Sequence, residues 1–187
     1  MPHIHPVKVE DASGEVKDLY EAMQAVRGTV PNLFQLLGYS PRMLGPAIAL
    51  AAFAGSSDSR VPARLKQLAY LAASRVNGCH YCLERHAAAG AKAGLTPQQV
   101  ESILAETGEL AASPAFNSNE RLIILYSEEL TRGISASAQT ITGLKAFMDE
   151  EEFLEITFVI ATANMFNRLA DGLAVELEPE FQRPAAH

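Results

Sequence analysis

The residues able to do chemistry crowd into one stretch, Asn77-Gly78-Cys79-His80-Tyr81-Cys82-Leu83-Glu84-Arg85-His86. It holds the only two cysteines of the 187-residue chain, spaced as C-x-x-C, with a histidine four positions after the second. Gly78 reads as the end of one helix and Cys79 as the start of the next, because glycine is the usual residue past a helix C-terminus. Cys79, Cys82 and His86 then stand at i, i+3 and i+7. At about 100° per residue they share one helix face. His80 and Glu84 form an i, i+4 pair directed elsewhere.

That layout suits redox or nucleophilic chemistry. A thiol at a helix N-terminus feels unpaired backbone N–H groups and the positive end of the helix dipole, which favour its thiolate. A second thiol one turn on closes a disulfide with little backbone movement. A histidine on the same face takes a thiol proton or returns one to a leaving oxygen. The pair would reduce a substrate, end as a Cys79–Cys82 disulfide and be reset by an external reductant.

Three other readings of the pair stay open. Zinc would draw on Cys79, Cys82 and His86, but a structural site takes four ligands and the nearby His80 faces away. A static disulfide belongs to an oxidising compartment, and the opening residues MPHIHPVKVEDASGEV carry no apolar run of a secretory signal. The third is a pair of plain buried thiols.

The rest of the chain must position these side chains. Its length allows one well-buried core and is short for two domains, so a single domain over 1–187 is expected. Apolar residues make up 48% and charged residues 20%, an ordinary globular balance. A net charge of −7 with no Lys/Arg cluster makes nucleic acid and anionic membrane surfaces poor partners. The most apolar run, Ile156 to Phe166, is too short to span a bilayer. The expected location is cytoplasmic.

Almost every segment has helical period and none alternates with period two, so the fold class is all-α, a multi-helix bundle. Residues 1–10 read as an extended lead-in. Asp11 or Ser13 caps a helix to about Arg27, ended by Gly28; a short helical turn covers 31–37; and Ser40-Pro41 starts a helix to about Phe53 that Pro46 should kink. That helix, apolar nearly all round, is either deep core or a subunit interface. Pro62 opens the helix that leads to Asn77-Gly78, with Gln67, Leu71 and Ser74 along one side. The cysteine helix runs to about Ala93 and is rich in small residues from Ala87 to Ala91. Thr96-Pro97 caps a helix to about Glu106, and Asn117 or Ser118 caps one to about Thr131. Two more follow, over about 138–148 and 150–173, before a surface tail over 175–187 with Pro179 and Pro184. A shift of 88 positions sets Lys66–Leu71 against Leu154–Val159, with Asn167 where the first copy has Cys79. Two amphipathic helices explain this echo more simply than a duplication does.

Residues 64–95, RLKQLAYLAASRVNGCHYCLERHAAAGAKAGL, resemble the alkylhydroperoxidase AhpD-like branch of the carboxymuconolactone decarboxylase superfamily. The helix, Asn-Gly, C-x-x-C and following histidine recur in that family's order, and the late Asn164-Met165-Phe166-Asn167-Arg168 fits its peroxidase-related members more loosely. The decarboxylase branch lacks the cysteine pair, which disfavours that activity. The resemblance implies an all-α fold, a homotrimer or a hexamer of trimers, and reduction of peroxide without a cofactor or metal. The reductant would be a dithiol, such as a lipoylated or thioredoxin-like protein. By position, Cys82 would attack the peroxide, Cys79 would resolve the product and His86 would serve the proton relay. The residues alone do not choose between the thiols, and the dipole argument leans towards Cys79.

Two positions depart from the pattern. A relay glutamate twelve before the first cysteine is Gln67 here, which can orient His86 but cannot exchange a proton near neutral pH. The histidine that often precedes the second cysteine is Tyr81, with His80 one place earlier and about 100° away in direction. Glu84 or Glu155 would have to supply a carboxylate. The expected function is a thiol-dependent peroxidase for small organic hydroperoxides or H2O2. The alternative is another C-x-x-C thiol–disulfide oxidoreductase or a redox sensor without peroxidase turnover.

Overall fold

A computed structural model describes residues 1–105 and 108–182. Its α-helices are α1 (Gly14–Arg27), α2 (Asn32–Leu36), α3 (Pro41–Gly55), α4 (Ala63–Asn77), α5 (His80–Lys92), α6 (Pro97–Leu104), α7 (Ser118–Gly133), α8 (Ala138–Lys145) and α9 (Glu150–Gly172). Short 3-10 turns lie at Val9–Asp11, Leu37–Tyr39, Leu110–Ala112 and Pro179–Phe181. The described residues contain no strand, and the fold is all-α as the periodicity predicts. Glu106, the expected end of the sixth helix, and Pro184 of the expected tail lie outside the described residues.

The boundaries follow local chemistry. Thr96 and Asn117 each close a capping box, with Gln99 and Glu120 respectively, so two orphan N–H groups are satisfied at the start of α6 and of α7. Gly28 ends α1 at φ 78°, a left-handed conformation that glycine adopts without steric cost. Of the two alternatives for α3, deep core or subunit interface, the first is not met: the helix sinks only Leu44, Ala47 and Ala54 fully, and Met43 is 56% exposed. Its apolar composition therefore exceeds what its buried face uses.

The chain divides into two compact units, Met1–Phe53 with Arg168–His187 and Ala54–Asn167. In the first, α1 buries Val16, Tyr20 and Met23. The Tyr20 hydroxyl lies within hydrogen-bonding distance of the carbonyls of Val7 (3.1 Å), Phe34 (3.3 Å) and Gln35 (3.3 Å). Gly38 leaves room for it: a Cβ there would collide with that hydroxyl and stand 2.9 Å from Val7 Cβ. Within the expected surface tail, two residues bond to α2. Glu178 is buried and accepts the Asn32 backbone N–H at 2.7 Å, while Asn32 Nδ2 donates to the Glu176 carbonyl.

In the second unit α4 is central, packed chiefly against α7 and α5. One core cluster joins Leu68, Leu71 and Ala72 of α4 to Ala87 of α5, Ile103 of α6 and Ile124 of α7. Gly90 permits the close approach, since a Cβ there would stand 2.6 Å from Leu95 Cδ1 and 3.4 Å from Leu71 Cδ1. Lys66 is fully buried and donates to Ser59 Oγ at 2.7 Å. Burial holds its amine below the ordinary range, and the nearby Glu155 carboxylate opposes that shift.

Candidate functional site

The site grows from the junction of α4 and α5. Gly78 turns left-handed at φ 68°, the Gly78 N–H reaches Arg75 O at 3.1 Å, and the Cys79 N–H reaches back to Ser74 O at 3.0 Å. This is the Schellman ending that places a glycine just past a helix. Cys79 is consequently the N-cap of α5, at φ −77° and ψ 92°, with its carbonyl accepting the Leu83 N–H at 2.9 Å. Cys82 falls in the first turn of α5, among N–H groups that have no intrahelical partner. Both thiols therefore lie at the positive end of a thirteen-residue helix.

Side-chain amides fix this junction to α9. Asn77 Nδ2 donates to Asn167 Oδ1 at 2.8 Å and to Asn164 Oδ1 at 3.1 Å. Asn167 Nδ2 donates in turn to Ser74 Oγ at 3.0 Å, and that hydroxyl donates to the Tyr70 carbonyl at 2.9 Å. The chain of bonds runs through buried Ser74 and Asn167, where an unmade bond costs more than at the surface.

Both cysteines are buried, Cys79 at 0% and Cys82 at 2% exposure, and they are not joined as a disulfide. Tyr70 is buried beside both cysteines. The Tyr70 ring stacks on the His86 imidazole, with centroids 3.6 Å apart and planes 14° from parallel. Gln67 Oε1 lies 2.8 Å from His86 Nδ1. An amide oxygen only accepts, so in this contact Nδ1 is the donor. Burial pushes the Tyr70 phenol well above its ordinary range, and the neighbouring Cys82 and Cys79 sulfurs and Tyr81 push the same way. Tyr70 therefore keeps its proton through the neutral range.

Of the residues singled out in the sequence, Gln67 contacts His86, His86 stacks on Tyr70, and Cys79 and Cys82 neighbour Tyr70. Tyr81 is buried, with the Arg85 guanidinium 5.7 Å from its ring centroid. His80 is largely exposed, and its Nδ1 stands 3.8 Å from the buried Glu84 carboxylate. Glu155 is occupied elsewhere: its carboxylate accepts the backbone N–H groups of Arg60 (3.2 Å) and Val61 (2.9 Å). Tyr70 is the member that the motif does not single out. Its only sequence signal is period, three residues after Gln67 and four before Ser74 on α4. Among the described residues no three His, Cys, Asp or Glu side chains are grouped to hold a metal ion.

An all-α fold with a buried dithiol at a helix N-terminus defines the class as a helical thiol protein. Residues 45–122, which span the whole site from Gln67 to His86, match the model of the carboxymuconolactone decarboxylase family. That match covers under half of the chain, and solved AhpD-like structures share its fold. A peroxidase-related protein from Silicibacter sp. TM1040 is 21% identical, with a TM-score of 0.78 over 96% of this chain and 91% of its own. A cysteine-to-alanine variant of the debrominase Bmp8, in complex with 2,3,4-tribromopyrrole, is 18% identical, with a TM-score of 0.81 over 97% of this chain and 96% of its own. A protein of unknown function from Agrobacterium tumefaciens, for which an AhpD antioxidant-defence role is suggested, is 26% identical, with a TM-score of 0.67 over 75% of this chain and 93% of its own. No curated protein matches the sequence. No helix among the described residues is long and apolar enough to cross a membrane.

Proposed function

We propose that this protein is a dithiol peroxidase that reduces small hydroperoxides through Cys82 and Cys79. The observation that carries the reading is the buried dithiol at the N-terminus of α5, with Tyr70 beside it stacked on His86, whose Nδ1 lies 2.8 Å from Gln67 Oε1. His86 Nε2 takes the Cys82 proton. The thiolate attacks the terminal peroxide oxygen; an S–O bond forms, the O–O bond breaks, and the alkoxide leaves with the proton held by His86. Cys79 then attacks the Cys82 sulfenic acid, forming the disulfide and releasing water. The sum is one peroxide and two thiols giving an alcohol, water and a disulfide, with two electrons moved.

Exposures of 0% and 2% favour a small acceptor over a bulky protein disulfide. The same burial favours a slender dithiol, such as a lipoyl arm, as the external reductant. No cofactor is required by these steps. A homo-oligomer is part of the proposal, supported by the exposed Met43 on α3 and Leu154 on α9, each more than half exposed.

The shared fold of the debrominase Bmp8 motivates a second reading. The same dithiol could reduce a carbon–bromine bond, giving a C–H bond, bromide, a proton and the disulfide. One experiment separates the readings: consumption of a small hydroperoxide, or of a bromopyrrole, by the protein with dihydrolipoamide, for wild type, Cys82→Ser and Cys79→Ser. Sustained peroxide turnover, lost in both variants with a trappable sulfenic acid in Cys79→Ser, supports the peroxidase. Disulfide closure without peroxide turnover overturns it and leaves another acceptor.

A further inference from the structure

We propose that Asn167 is a positioning residue: its amide clamps the last turn of α4, which presents Cys79, and so lowers the reduction potential of the Cys79–Cys82 pair. The proposal rests on the dithiol reading above. Asn167 Nδ2 donates to Ser74 Oγ at 3.0 Å, and its Oδ1 accepts from Asn77 Nδ2 at 2.8 Å, one residue before the left-handed Gly78. The backbone carbonyl of that same Ser74 takes the Cys79 N–H at 3.0 Å. One side chain of α9 thus grips both the residue that anchors Cys79 and the residue two before it. The grip is itself anchored. Asn164, one turn back on α9, accepts from Asn77 at 3.1 Å and donates to Thr131 Oγ1 of α7 at 3.0 Å.

Amides are a costly choice for this place. Ser74 is fully buried and Asn167 is 1% exposed, where apolar groups of the same shape would be nearly neutral for stability. What the amides add is direction, because a hydrogen bond weakens steeply when its angle is lost. Here that direction fixes the backbone of Cys79. Closing the disulfide takes two electrons and two protons from the thiols. They pass to the acceptor, a peroxide in the reading above, and are returned by a dithiol reductant. A Cys79 held in place gives up few conformers when the S–S bond forms. Set loose, it gives up more, and the equilibrium moves towards the dithiol.

The test uses no peroxide. Wild type and Asn167→Leu would be equilibrated in buffers of reduced and oxidised dithiothreitol, and the disulfide fraction read by thiol alkylation and mass. The expected result is a closure constant about tenfold lower in the variant, a midpoint about 30 mV higher. Ser74→Ala should shift the midpoint the same way and add little to Asn167→Leu, since both cut one clamp. Thr157→Val is the control: it cuts the 2.8 Å bond to Tyr126 on the same helix, costs stability and leaves the midpoint in place. An unmoved midpoint in Asn167→Leu, or an equal shift in Thr157→Val, overturns the proposal and leaves the peroxidase reading standing. A pair that closes in no buffer overturns both. Should Asn167→Leu fail to fold, Asn77→Ala at the half-buried helix end decides: a raised midpoint supports the clamp and a wild-type midpoint overturns it.

Discussion

Gln67 and His86, nineteen residues apart in sequence, meet with Oε1 2.8 Å from Nδ1. The contact joins α4 to α5 and, in the neutral ring, leaves Nε2 as the basic nitrogen. A glutamine at this place withdraws a carboxylate from the site yet keeps the function of orienting the histidine. In the proposed mechanism His86 is then the base of the relay, with the ring of Tyr70 stacked on it.

Gln67→Leu removes the acceptor at nearly constant volume and frees His86 to exchange tautomers. The expected effect is a fall in turnover of about 10- to 100-fold, a fraction of what a general base contributes, with Gln67→Glu retaining the orienting bond. Ring-nitrogen NMR would read the tautomer alongside the kinetics. Wild-type turnover in Gln67→Leu, with Nδ1 still protonated, would sink the assignment.

Gly78→Ala probes the turn that makes Cys79 an N-cap. At φ 68° an alanine is strained, although nothing stands within 4 Å of the new methyl, so the cost is one of backbone conformation alone. About 1–2 kcal/mol is expected, or a Tm lower by about 3–6 °C, measured by thermal unfolding. An unchanged Tm would mean that the left-handed turn does not persist in solution.

Tyr20 predicts the alkaline behaviour of the first unit. Burial pushes its phenol from 10.0 to about 12. Between those values the folded chain binds a proton that the unfolded chain has lost, so stability falls as pH rises. The contribution is complete below pH 10 and is lost on passing through about 12. Tyr70 acts in the same direction and Lys66 in the opposite one. Tyr20→Phe should be less stable at neutral pH, because the carbonyls of Val7, Phe34 and Gln35 lose their hydroxyl partner. It should also show a shallower alkaline loss in urea unfolding. An identical alkaline slope in the variant would rule out Tyr20 as its source.

The sequence by itself determined the helical class, the helix-capping residue Thr96, a cap at Asn117 or Ser118 and the Asn-Gly break that puts Cys79 at a helix start. Each is governed by backbone chemistry within a few residues, which a linear pattern records. C-x-x-C followed by histidine was legible for the same reason, since one helix face fixes all three positions. Tertiary structure alone decided what surrounds them. Tyr70 stacks on His86 beside both cysteines from another helix, Asn167 reaches Ser74 across 93 positions, and Glu155, a candidate carboxylate by composition, is spent on the backbone before α4. Those contacts depend on how helices pack, through side chains remote in sequence, and no local period encodes them.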